Sequence, residues 1–171
     1  MASVNGVNKV IADIRAFGRE AEKRISQETE AIAFQIEADA KRNAPKNFGK
    51  LAQSISHEKI NASNYKVTVN EFYGAYVEFG TGKMYKPHPE WDQMAAQFKG
   101  PTGRPFSDFV EAMKIWMRAK GYDESNAWIA CINILKNGQE AQPFLYPAYV
   151  KGRKDYEKNL KQLLKNLKRN I

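Results

Sequence analysis

An apolar stripe runs at helical spacing through residues 4–43 and stops at Asn43-Ala44-Pro45. Val10, Ile14, Phe17, Ala21, Ile25, Ile32, Ile36 and Ala40 fall on about a third of a helical surface at 3.6 residues per turn. The spacing predicts one long helix ended by the proline. Unbroken, about 40 residues would span about 60 Å at 1.5 Å per residue. A compact domain of 171 residues is only about 40 Å across, from the usual scaling of radius with length. The helix must therefore bend near Gly18 or project beyond its own domain. In its second half Ala31, Phe34 and Ala38 form another apolar patch on the opposite face. That half is then covered on both sides, either by the chain's own sheet or by a neighbouring subunit, and these three residues are candidate oligomer contacts.

The length fits one domain with room for an insertion, and a chain of this size buries about 70% of its unfolded surface. A hydrophobic fraction of 43% and an aromatic fraction of 12% exclude a chain disordered throughout. No apolar run approaches the roughly 18 residues of a membrane span, and Met1-Ala2-Ser3-Val4-Asn5 has no secretory pattern. Cys131, the single cysteine, cannot form an internal disulfide. A soluble protein made in the cytoplasm is expected. The net charge of +8 invites a nucleic-acid reading. Residues 1–45 carry seven basic and seven acidic side chains, and residues 46–148 twelve and ten. Residues 149–171 carry eight basic and two acidic, so most of the excess lies in one C-terminal segment. That segment also has an apolar stripe, Tyr156, Leu160, Leu163, Leu164, Leu167 and Ile171, so it reads as a basic amphipathic helix. Its leucine face docks, and its lysines either meet solvent alone or meet DNA, an acidic partner or a lipid surface.

Between these helices, Leu51 to His57 reads as a first strand. A turn follows at Asn61-Ala62-Ser63-Asn64, and Tyr65 to Asn70 alternates as a second strand with one wet face, which together make a β-hairpin. Tyr73 to Gly82 is an aromatic turn of helix or strand ending in glycines. Gly80 and Gly82 are expected at positive φ, which glycine alone enters freely. Pro89 opens a helix, and residues 99–105 form a loop by composition. Ser107 caps a helix bearing Phe109, Val110, Met113, Trp116 and Met117 that ends at Gly121. Asp123 caps another, aligning Trp128, Cys131, Ile132 and Leu135 and ending at Gly138. The expected fold is α+β: a long N-terminal helix on a small antiparallel sheet, with an inserted helical hairpin and a C-terminal basic helix. Residues 1–82 with 141–171 form the core, and 83–140 the helical insertion.

Catalytic constellations are thin. His57 reads as a half-buried strand residue, His88 as a loop residue, and no His/Cys/Asp/Glu cluster has metal spacing. Cys131 lies on an apolar helix face, where a thiol stays inert. Gly80-Thr81-Gly82-Lys83 fails as a phosphate loop, because Met84 replaces the required hydroxyl and no glycine stands five positions before Gly82. Glu78, set among Tyr73, Tyr76, Val77 and Phe79, reads as a ligand of a backbone turn or a basic residue rather than an acid or base. A helix-turn-helix over 107–137 fails on charge, since its second helix opens with Asp123 and Glu124.

Three separated motifs carry a family resemblance. Asp39 to Pro45 followed by Gly49-Lys-Leu-Ala-Gln-Ser-Ile55 resembles an "APxDTGxLxxSI" signature. Tyr73-Gly-Ala-Tyr-Val-Glu-Phe-Gly-Thr81 resembles "YAxYVEFGT", and Gln142-Pro-Phe-Leu-Tyr-Pro-Ala148 resembles "QPFLxPA". All three resemble the neck and tail-completion proteins of tailed phages, the group named after gene product ten of a lambda-like siphophage. Lys46-Asn47-Phe48 departs from the usual acidic-threonine pair before the glycine. The structural motif positions carried over are Pro45, Gly49, Leu51, Ser54, Ile55, Tyr73, Tyr76, Glu78, Phe79, Gly80, Thr81, Pro143, Phe144 and Pro147. The resemblance implies a virion protein at the head–tail junction with no catalysis and no cofactor. It also implies a homo-oligomeric, sixfold ring around the DNA channel. Its partners would be copies of itself, the head–tail connector and the tail tube, with non-specific proximity to packaged DNA and no membrane. Lys158, Lys161, Lys165 and Lys168 are the candidate electrostatic contacts. The alternative is a basic-helix nucleic-acid-binding module.

Overall fold

A computed structural model of the chain describes residues 4–46, 49–61, 63–98 and 105–168. Helix α1 spans Val4–Asn43 without a break, Gly18 included. A short helix α2 (Gly49–Ser54) runs directly into strand β1 (Ile55–Asn61), which pairs antiparallel with β2 (Asn64–Val69). The hairpin register sets Ile55 against Val69 and His57 against Val67. Helix α3 (Gly74–Phe79) follows, then α4 (Asp92–Ala96), α5 (Phe106–Ala119), α6 (Ala127–Asn137) and α7 (Leu145–Lys168). The α+β class, with its long N-terminal helix and antiparallel hairpin, is as the sequence predicts.

The core is a node where the end of α1, α2, the hairpin, α3 and the start of α7 meet. Ala40, Ala44, Leu51, Ile55, Val77, Phe144 and Ala148 are buried together there, with Ile36, Val67 and Tyr73 packed around them. Burying side chains such as Leu51, Ile55 and Phe144 is worth roughly 1.5–3 kcal/mol each. From this node α1 and α7 leave as an antiparallel pair. The pairing is read from the bonds that tie them: Lys151 Nζ to Asp39 (2.7 Å), Gln35 Nε2 to Asp155 (2.7 Å), the Thr29 and Tyr156 hydroxyls (3.2 Å) and Asn159 Nδ2 to Glu28 (2.7 Å). Gly152 makes the close approach possible, since a Cβ there would stand 2.4 Å from Cγ1 of Ile36.

Several local expectations need correction. Residues 51–54 are helical, and the strand starts only at Ile55. A single helical turn places both Leu51 and Ile55 in the core, and a six-residue helix is too short to leave a periodic signature. Residues 74–79, which the sequence leaves open between helix and strand, are helical. Ser107 lies inside α5 and makes no cap; Pro105 holds the N-cap position. Helix α7 begins inside the third motif, at Leu145. Of the four residues aligned on α6, Cys131 is fully buried, whereas Trp128 and Leu135 are exposed. The docked face of α6 is the one bearing Ala127 and Cys131. Asp123 caps as expected, accepting from the Ser125 N–H at 2.9 Å, but it heads a 3-10 turn ahead of α6. Asn47, Phe48, most of the 99–105 loop, Arg169 and Ile171 lie outside the described residues.

Candidate functional site

The second and third motifs form one unit through Glu78. Its carboxylate, carried at the end of α3, is buried and accepts three backbone N–H groups: Phe144 (2.8 Å) and Leu145 (2.9 Å) on Oε2, and Tyr146 (2.9 Å) on Oε1. These donors open α7. The following residue, Pro147, has no N–H to satisfy, so one carboxylate completes the first turn. A helix start leaves such donors orphaned and favours negative charge. The carboxylate is thus a cap supplied from 66 residues away, and the reading of Glu78 as a ligand of a backbone turn is the one the geometry supports.

The same junction closes the 83–140 segment on itself. Thr81 N–H donates to Gln139 O (2.9 Å), Gln139 N–H to Thr81 Oγ1 (2.8 Å), and Gln142 N–H to Val77 O (2.8 Å). Gly80 (φ +73) and Gly82 (φ +55) have the positive φ expected of them. At Gly80 a Cβ would meet Met84 O at 2.6 Å and Gln139 O at 2.8 Å. Phe79 meets Trp91 edge-on, and Trp91 meets Tyr146 edge-on at 5.1 Å. His88 stacks on Tyr146 at 4.1 Å, and its Nε2 lies 2.9 Å from the Tyr146 hydroxyl. Of the remaining motif residues, Leu51, Ile55 and Phe144 are buried, Pro45, Ser54, Tyr73, Tyr76 and Thr81 half-buried, and Gly49, Pro143 and Pro147 exposed. Ser54 Oγ donates to Leu51 O at 2.8 Å, closing α2 before the strand.

A second cluster lies where the hairpin crosses α1, and sequence spacing did not signal it. Glu37 accepts the His57 backbone N–H at 2.9 Å and bonds both His57 Nδ1 and Lys41. Burial pushes the Glu37 carboxyl up, but hydrogen bonds from Lys41 and His57 outweigh it and hold the group below its ordinary range. Phe34 meets the His57 ring edge-on at 6.0 Å yet is 63% exposed. Ala31 is exposed and Ala38 half-buried, so the second apolar patch of α1 faces outward next to this pair. Cys131 is fully buried, and burial pushes its thiol up to about 11, which leaves it protonated and unreactive near neutrality. Among the described residues no group of three or more His, Cys, Asp or Glu could hold a metal ion. Nor, among them, is any helix long and apolar enough to cross a membrane.

Among the described residues, α1 and α7 each keep a large exposed face. Helix α1 outruns its partner: residues 6–16 are all exposed, a length of roughly 16 Å at 1.5 Å per residue. Val7, Val10, Ile11 and Ile14 there are 41–64% exposed, and they continue the stripe that α7 covers further along. On α7 the leucine side docks as expected, with Leu167 buried and Leu160 and Leu163 half-buried, though Leu164 stays exposed. Lys158, Lys161 and Lys165 are exposed on the outer face. Lys168 closes the helix, and its side chain lies outside the described part.

Comparison with known families bears on the first half of this architecture. Residues 8–80 match the family model HK97-gp10_like, described as "Bacteriophage HK97-gp10, putative tail-component". That segment is similar to the HK97-gp10-like family. It takes in α1 from Asn8, the hairpin and the whole of α3, so Glu78 is inside the match while the α7 donors it caps are outside. The HK97-gp10-like family is described as a phage tail component. No curated protein and no solved structure matches the chain.

Proposed function

We propose that this protein joins the head and tail of a tailed phage as a neck or tail-completion subunit, working by contact and not by catalysis. Copies assemble as a ring around the DNA channel, between the head-side connector and the tail tube, and no cofactor takes part. The family match supports a phage structural role, and one observation carries the finer reading. The α1 overhang presents Val7, Val10, Ile11 and Ile14 uncovered, on the stripe that the rest of the subunit buries. A stripe that leaves its own subunit suits a neighbour's surface, and a heterologous contact closes into a ring when its rotation permits. Segment 83–140 is read as an insertion anchored at the Thr81–Gln139 junction, with Trp128, Ile129 and Leu135 of α6 offered to a further partner.

Deleting the gene from its phage tests the reading. The expected outcome is DNA-filled heads and finished tails that fail to join, with infectivity restored by adding the purified protein to the lysate. Complete infectious particles without the protein would overturn it. In solution, Val7, Ile11 and Ile14 changed together to Ser should leave a folded subunit that no longer assembles. Unchanged assembly by light scattering would place the ring contact elsewhere.

A further inference from the structure

We propose that the outer face of α7 is a binding surface for the phosphate backbone of double-stranded DNA, independent of sequence. Lys154, Lys158, Lys161 and Lys165 recur at intervals of three and four residues, which puts them in a single row down the helix. The row lies opposite the side of α7 on which Ala148, Gly152 and Leu167 are buried. All four side chains are exposed and line one shallow groove, with Glu157 the only acid among its walls.

Their lack of partners separates these lysines from Lys151 and Arg153 of the same helix. Lys151 is bonded to Asp39 at 2.7 Å, and Arg153 to Glu90 at 3.3 Å. Among the described residues, none of the four row lysines enters an ion pair. Like charges three and four residues apart repel. The helix dipole favours cations only in the last turn, and Lys154 and Lys158 lie well before it. A regular line of unpaired ammonium groups matches a polymer of regularly spaced anions. The groove offers no arginine fork or aromatic ring for reading bases, so the contact it fits is to phosphate alone.

The test is binding of the full chain to a short duplex of mixed sequence, followed by fluorescence anisotropy across a salt series. Four neutralised phosphates give a logarithmic salt slope of about −3 to −4, and so about a 100-fold loss of affinity between 50 and 200 mM salt. Changing Lys154, Lys158, Lys161 and Lys165 together to Gln should abolish that slope and leave the circular-dichroism melt unchanged. A control of equal charge removal, Lys50, Lys86, Lys120 and Lys136 to Gln, should keep the affinity within a few-fold. Equal losses in the two variants would reduce the effect to net charge and overturn the proposal. Absence of duplex binding at low salt would overturn it too, and capture of polyglutamate in its place would mark the row as a face for an acidic protein.

Discussion

Glu78 and Gly80 sit two residues apart and serve the same junction in different ways. Glu78 holds the start of α7 through three hydrogen bonds from backbone N–H groups. Replacing it with Ala would leave buried N–H groups without an acceptor, at a cost of about 2–4 kcal/mol. Chemical denaturation should show that loss, with Glu78→Gln falling between Ala and the parent because one amide oxygen remains. Gly80 provides backbone freedom. At φ +73 and ψ −177 it occupies a region essentially closed to other residues, and a side chain there would collide with two carbonyl oxygens. Gly80→Val should destabilise by a few kcal/mol, and an unchanged melting temperature would contradict the geometry. Glu37 gives the junction of hairpin and α1 a pH dependence. Its carboxyl is depressed in the folded state, so its contribution is complete above the ordinary value of 4.5 and fades as the pH falls through the lower folded value. Glu37→Gln should therefore cost about 1 kcal/mol at neutral pH, and the two proteins should converge in stability in acid titrations.

The antiparallel α1–α7 pair depends on one missing side chain. Gly152 lies within α7, where glycine costs about 1 kcal/mol relative to alanine in a helix. Its compensation is contact: Ile36 fills the space that a Cβ would need. Gly152→Val should push the helices apart and cost about 1–3 kcal/mol, a fall of roughly 2–4 °C in melting temperature per kcal/mol for a chain of this size. Ile36→Ala in the same background should recover part of the loss, a coupling a double-mutant cycle would measure. If the two changes simply add, Gly152 and Ile36 are not packed as described. The hairpin illustrates a limit of reading elements from pattern. Tyr65, Val67 and Val69 alternate as a strand should, and β2 is there. Leu51 to Ser54 looked like its partner but forms α2, because burying Leu51 and Ile55 together outweighs local propensity.

At the scale of the molecule, the chain is a small node with a long arm. Among the described residues, its exposed apolar surfaces include the α1 overhang, Phe34 and the outer side of α6. Phe34 distinguishes subunit contact from internal packing. A charge on an exposed helix face is cheap, whereas an unpaired charge buried in an interface is costly. Phe34→Glu should keep the circular-dichroism spectrum and melting temperature of the parent while preventing assembly. If it unfolds the protein, the Phe34–His57 contact belongs to the monomer core.

Properties carried by a single element were legible before any fold was known. The length of α1, the leucine side of α7, the concentration of lysines near the C-terminus and the glycines closing the aromatic motif follow from spacing, and spacing is local. A helix repeats every 3.6 residues whatever lies beside it. What joins elements was not legible. No period in the sequence pairs Glu37 with His57, sets Gly152 against Ile36, or brings Glu78 to the N–H groups that open α7. Nor could pattern tell which apolar residues stay bare: Val10 and Ile36 share one stripe, yet α7 covers only the second. Tertiary structure decided these points, because burial and hydrogen bonding depend on which distant segment arrives, and that is a property of the whole chain.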